Sequence, residues 1–189
     1  MRVTGSGWAY EGEPMNAIAA GFGQVFWGLL LVILDFNLNH FDVLPDFIGY
    51  ILVAVGLGGL TGLSRQFATA RTCAWVLVPV DIVGLLPAEE LAVIVSLVNL
   101  VLNCVMMWYL LGGIMDYAVA QNRPDLAERA SARRVAYVAL MCVAAALGFL
   151  ARGAGGAGAM LAVVIVVCGL ILVIMILHLI HRVRTELAV

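Results

Sequence analysis

Long apolar stretches follow one another along this chain, separated by short polar gaps, and that pattern leaves it one class of fold. Six stretches can be drawn, at about 17–34, 47–63, 72–86, 91–115, 135–151 and 160–180. No water-soluble core of 189 residues could hide so much apolar surface. The chain is 64% hydrophobic and 12% charged, where a soluble domain is about half apolar and a quarter charged. Lipid is therefore the solvent for most of it. The expected fold is all-α: a polytopic membrane bundle of six transmembrane helices forming one domain over 17–181. Residues 1–16 read as a poorly ordered tail, with Met15 as an alternative start, and 182–189 as a cytoplasmic tail.

Charge sets the expected orientation. The chain has ten arginines and no lysine. In a six-span arrangement Arg2, Arg65, Arg71, Arg123, Arg129, Arg133, Arg134, Arg182 and Arg184 fall on one side and Arg152 alone on the other. Arginine-rich loops stay cytoplasmic, so both termini are expected inside. The third stretch is the weak member. Its roughly 15 residues reach only about 22 Å, against about 30 Å of hydrocarbon. It also carries Pro79 and Asp81. If it did not cross, the arginines of 123–134 would move outside, so it is counted as a crossing. Trp75, Trp108, Tyr109, Tyr117 and Tyr137 fall near the expected inner interface, where amphipathic rings prefer to sit. Asn122, Pro124 and Asp125 read as the N-cap and first turn of a helix that runs into the fifth span.

Small residues mark expected contacts. Ala54, Gly58 and Gly62 recur every four residues, a face for close helix approach. The glycine-rich run 153–158 reads as a flexible outer turn, because it lacks the Lys-Ser/Thr ending of a phosphate loop. Cys73, Cys104, Cys142 and Cys168 are scattered over different apolar runs with no CxxC, and so read as packing residues rather than thiolate or zinc chemistry. His178 and His181 read as interfacial anchors, and Ser96 has no nucleophile motif around it. No catalytic residue, metal or cofactor is expected, and no basic domain is present to grip nucleic acid.

The candidates for chemistry are few. Asp81 lies inside an apolar run just after Pro79. An ionisable group at membrane depth is costly, which makes it a candidate proton or ion site beside the blander roles of snorkelling or helix bonding. Asn99 and Asn103, four apart, present their amides on one helical face, either gluing helices together or lining a polar path. Asp35 joins them as a pathway candidate at the outer side. Asp42, Asp46, Glu89 and Glu90 complete an outer acidic cluster that could gather cations, although no spacing resembles a metal loop.

The stretch around LPDFIGYIL, residues 44–52, is the most motif-like part of the chain. Asp46 sits at the positive end of the second span. This stretch, with WGLLLVILD at 27–35, resembles sequences of small bacterial multi-spanning membrane proteins, a group with no activity attached. The resemblance covers about the first 60 residues. It implies a bacterial inner-membrane location and no mechanism. The expected function is a small ion or solute pathway through the polar groups of the third and fourth spans, with the bilayer as environment and an oligomer or a membrane partner left open. The alternative is a non-catalytic scaffold or accessory subunit docking through its arginine-rich segment. A membrane enzyme acting on lipid finds least support.

Overall fold

With no water to satisfy backbone groups in lipid, the apolar runs must bond internally as helices, and they do. The computed structural model describes residues 13–33, 37–38, 41–42, 46–85, 89–150 and 155–187. The elements are α1 (Glu13–Ile33), β1 (Asn37–Leu38), β2 (Phe41–Asp42), α2 (Asp46–Gly58), α3 (Arg65–Gly84), α4 (Glu89–Ala120), α5 (Pro124–Leu150) and α6 (Gly155–Leu187). The two short strands pair antiparallel, Asn37 opposite Asp42 and Leu38 opposite Phe41. Each helix packs on the next in sequence, and α6 returns to α1, so the six close into a ring. Among the described residues five helices are long and apolar enough to cross a membrane, while α2 is a shorter apolar helix. The chain is built as a multi-pass membrane protein.

Several boundaries differ from the sequence-based expectation, each for a local reason. The third span is not the short one. Ser64 caps α3 by accepting a hydrogen bond from Gln66 N–H at 3.1 Å, which starts the helix at Arg65 and gives it 20 residues, with Pro79 inside. The shortness belongs to α2, which has 13 residues. Its end at Gly58 gives way to tight turns closed by Gly59 N–H to Gly56 O and Leu63 N–H to Leu60 O. Asn122 is not an N-cap. It has φ of 56°, and Arg123 N–H bonds back to Ala118 O at 2.8 Å. That is a left-handed C-terminal cap closing α4. Pro124 then opens α5, where its missing N–H costs nothing. The run at 153–158 is helical from Gly155, and α6 extends through the expected tail to Leu187. At the other terminus α1 begins at Glu13, inside the expected tail.

The tightest packing joins α1 and α2. Two glycines seven apart on α1 face two glycines seven apart on α2. A Cβ at Gly28 would lie 2.7 Å from Gly49 O, and one at Gly21 would lie 2.9 Å from Gly56 O. Only hydrogen fits there, so the backbones touch. This is not the face expected at Ala54, Gly58 and Gly62. Ala54 is buried. Gly58, however, lies under the guanidinium of Arg71, and Gly62 sits in the turn with nothing within 4 Å of a Cβ.

All eight described arginines lie in one half of the bundle: at the start of α3, the start of α5 and the end of α6. The core is densest in that same half. Met106, Leu110, Leu111 and Ile114 of α4 pack there with Phe22, Phe67, Leu126, Ile176 and Ile180. In the other half α4, α5 and α6 turn Val93, Leu97, Val101, Val143, Val163 and Val166 outward, which lipid accepts and water would not.

Candidate functional site

Helical spacing brings the polar residues of three spans to one place. A cavity of about 440 Å³ opens between α3, α4 and α5 in the half away from the arginines. Asp81, Gly84 and Leu85 line it from α3, Ser96, Asn99 and Asn103 from α4, and Tyr137 and Met141 from α5. Positions 96, 99 and 103 share one face of α4, as steps of three and four residues require. Leu85 and Gly84 are exposed, so the cavity reaches the far end of α3.

Its floor is a hydrogen-bonded chain across three helices. The Tyr137 hydroxyl donates to Asn103 Oδ1 at 3.0 Å, and Asn103 Nδ2 donates to the Tyr50 hydroxyl at 2.8 Å. Tyr50 and Tyr137 are 2% and 6% exposed, so neither hydroxyl could be left unbonded without cost. The negative charges of Asp46 and Asp81 both bear on Tyr50. Beneath this floor lies the apolar core of Met106 and Leu110.

The two asparagines therefore divide the roles expected of them. Asn103 ties α2, α4 and α5 together. Asn99 and Ser96 make no side-chain hydrogen bond among the described residues, which leaves their polar groups to whatever fills the cavity. The space suits on the order of ten waters. Its carboxylate, amide and hydroxyl oxygens are the donor types that a hard cation or a hydrated proton takes.

The other candidates are more scattered. Asp35 lies outside the described residues. Asp46 opens α2, Asp42 falls on β2, and Glu89 and Glu90 begin α4, all at the far end. Among the described residues no three metal-binding side chains come together. Tyr50 and Tyr137 were not singled out for the site. Tyr50 stood inside the LPDFIGYIL stretch and Tyr137 was read as interfacial. The available signal was that a tyrosine deep in an apolar run needs a partner for its hydroxyl.

A second polar cluster was also not foreseen. At the arginine half, Asp116 of α4 accepts from the Ser64 hydroxyl at 2.7 Å and from Gln66 Nε2 at 2.8 Å. Gly112 and Gly113 lie directly under Gln66 and Phe67, which lets α3 come close. Arg134 stacks on Trp108, 3.6 Å from the ring centre. Arg123 bonds Asp125 and Glu186, which holds its guanidinium pKa above the ordinary value. The Tyr117 hydroxyl donates to Leu187 O at 2.8 Å, fastening the end of α6 to α4. These are structural ties. Comparison with family models, with curated proteins and with solved structures finds no match.

Proposed function

We propose that the protein binds a proton or a small cation in the α3–α4–α5 cavity, as the outer part of an ion or solute pathway across a bacterial inner membrane. The observation that carries this reading is Asp81. Its side chain lines a cavity shared with the polar Ser96, Asn99 and Asn103 as well as with Val95, Leu100 and Met141, and ionisable groups at membrane depth mark ion and proton paths by default. In this reading all six helices cross, α2 included, with the arginine half and both termini cytoplasmic. The cavity then faces outward, on the side where α2 starts at Asp46 and α4 at Glu89, and acids on that side concentrate cations there. Passage inward requires the Tyr50–Asn103–Tyr137 floor to part.

The experiment is flux in proteoliposomes. Under an imposed pH or sodium gradient, a dye inside the vesicles should report flux with the native chain. Asp81→Asn, which keeps size and polarity but removes the charge, should abolish it while the protein still elutes as a single folded species. Equal flux from Asp81→Asn would refute the site. A second reading, a non-catalytic scaffold or accessory subunit, is favoured by the apolar layer below the floor, which includes Met106, Leu110, Leu111 and Ile114. In that case native proteoliposomes carry no flux under any gradient.

A further inference from the structure

Arg133 of α5 is a charged side chain that its surroundings do not answer. It is 9% exposed, and its Nη1 has no hydrogen-bond partner among the described residues. The neighbouring charges that bear on it are Arg129 and Arg182, both positive. Three acids of this half are engaged elsewhere, and a fourth, Glu128, is exposed and is not among the charges that bear on Arg133. Asp125 holds Arg123, Glu186 holds Arg123 and Arg182, and Asp116 holds Ser64 and Gln66. A buried guanidinium without an acceptor is costly, and an anion is the natural remedy.

The space beside Arg133 has the shape for one kind of anion. A groove of about 390 Å³ runs between α5 and α6, lined by Arg129, Ala132, Arg133, Ala136, Leu172 and Met175. The arginines stand at its inner end. Beyond them the wall is apolar, and the two alanines leave it wide. Further along, Gly169 of α6 faces Leu140 of α5, where a Cβ would meet it in ordinary contact at 3.9 Å. Met175 is 45% exposed, so the groove opens sideways to the lipid. Guanidinium groups match phosphate oxygens, and a trough of alanine, leucine and methionine matches an acyl chain.

We propose that this groove holds one anionic phospholipid, its phosphate on Arg133 and Arg129 and one acyl chain along Ala132, Ala136, Leu172 and Met175. Basic pockets between helices at the cytoplasmic side are where such headgroups lie. A free phosphate would use the arginines but not the trough. The site is separate from the Asp81 cavity and does not depend on its role.

The test titrates the full chain, purified in neutral detergent, with phosphatidylglycerol, phosphatidylcholine or inorganic phosphate, following the thermal midpoint. Phosphatidylglycerol should raise the midpoint saturably, at concentrations about tenfold lower than phosphatidylcholine, and inorganic phosphate should leave it unchanged. Arg133→Gln should weaken the phosphatidylglycerol effect about tenfold, one lost charge-assisted contact, while Arg65→Gln on α3 leaves it intact. Ala136→Leu fills the trough but keeps both arginines, and should weaken it as well. If Arg133→Gln does not fold, Ala136→Leu decides alone. Equal response to the two lipids, or unchanged affinity in either groove variant, would overturn the proposal. An effect of inorganic phosphate equal to that of phosphatidylglycerol would overturn it too, in favour of a simple anion site.

Discussion

At the scale of single residues, what matters is which polar atoms find partners inside the bundle. Tyr137→Phe removes the donor to Asn103 Oδ1 and changes little else. Side-chain hydrogen bonds in membranes are worth about 0.6 kcal/mol on average and up to about 1.7 kcal/mol. The expected loss is therefore about 1 kcal/mol, read as a lower thermal midpoint in detergent. Tyr109→Phe, which removes a hydroxyl with no hydrogen bond among the described residues, should leave the midpoint unchanged. An equal midpoint for Tyr137→Phe and the native chain would mean that the floor bond contributes nothing. The polar residues at membrane depth were legible in the sequence because charge and amide are conspicuous among leucines and valines, and the 3.6-residue period puts Asn99 and Asn103 on one face. Their tyrosine partners were not legible. Tyr50 and Asn103 are 53 residues apart, and nothing local in either segment encodes which of the other helices it will meet.

At the scale of elements, the α1–α2 pair sets the strictest demand on sequence. Gly28→Leu would drive a side chain into Gly49 O and the Val53 backbone, both 2.7 Å from its Cβ. Backbone cannot move aside as a side chain can, so the cost should reach at least the roughly 1–3 kcal/mol of overpacking. The variant should aggregate or elute early on size exclusion. Gly62→Leu, in open space, should stay within about 0.5 kcal/mol of the native chain. If the two variants behaved alike, the close approach would be wrong. The sequence offered two overlapping small-residue patterns on α2. The four-residue series through Gly58 and Gly62 is regular, but it runs past the point where the helix stops. The seven-residue pair Gly49 and Gly56 has a counterpart in Gly21 and Gly28, and only the pair of patterns identifies the contact. Ends of helices were missed for a related reason. Ser64 starts α3 through one hydrogen bond, ahead of the apolar residues that hydropathy detects.

At the scale of the whole molecule, the arginine half makes a prediction about topology. In a chain whose four native cysteines are replaced by alanine, single cysteines at Gly62, Gln121 and Glu186 should all be shielded from an impermeant maleimide in intact cells and labelled after lysis. Labelling of the 121 position in intact cells would put the arginines of α5 outside and reverse half of the bundle. The helical class followed from composition, because lipid admits few solutions, and the charge asymmetry from where the arginines fall between the apolar runs. Closure of α6 onto α1 did not, since it depends on side-chain fit between the first helix and the last. The brevity of α2 has an electrical consequence. Its 13 residues extend about 20 Å, less than the roughly 30 Å of hydrocarbon, and if α2 crosses as proposed, so short a span would draw the bilayer thinner around it. Tyr50 lies one turn from the first residue of α2, about 6 Å along its axis. The cavity floor is thus shallow on its own side. Most of a membrane potential would fall across the dry layer of Met106, Leu110 and Ile114, at about 2.3 kcal/mol per charge per 100 mV for the full drop. In the proposed pathway, a cation resting beside Asp81 would feel little of that voltage. One passing the floor would feel nearly all of it.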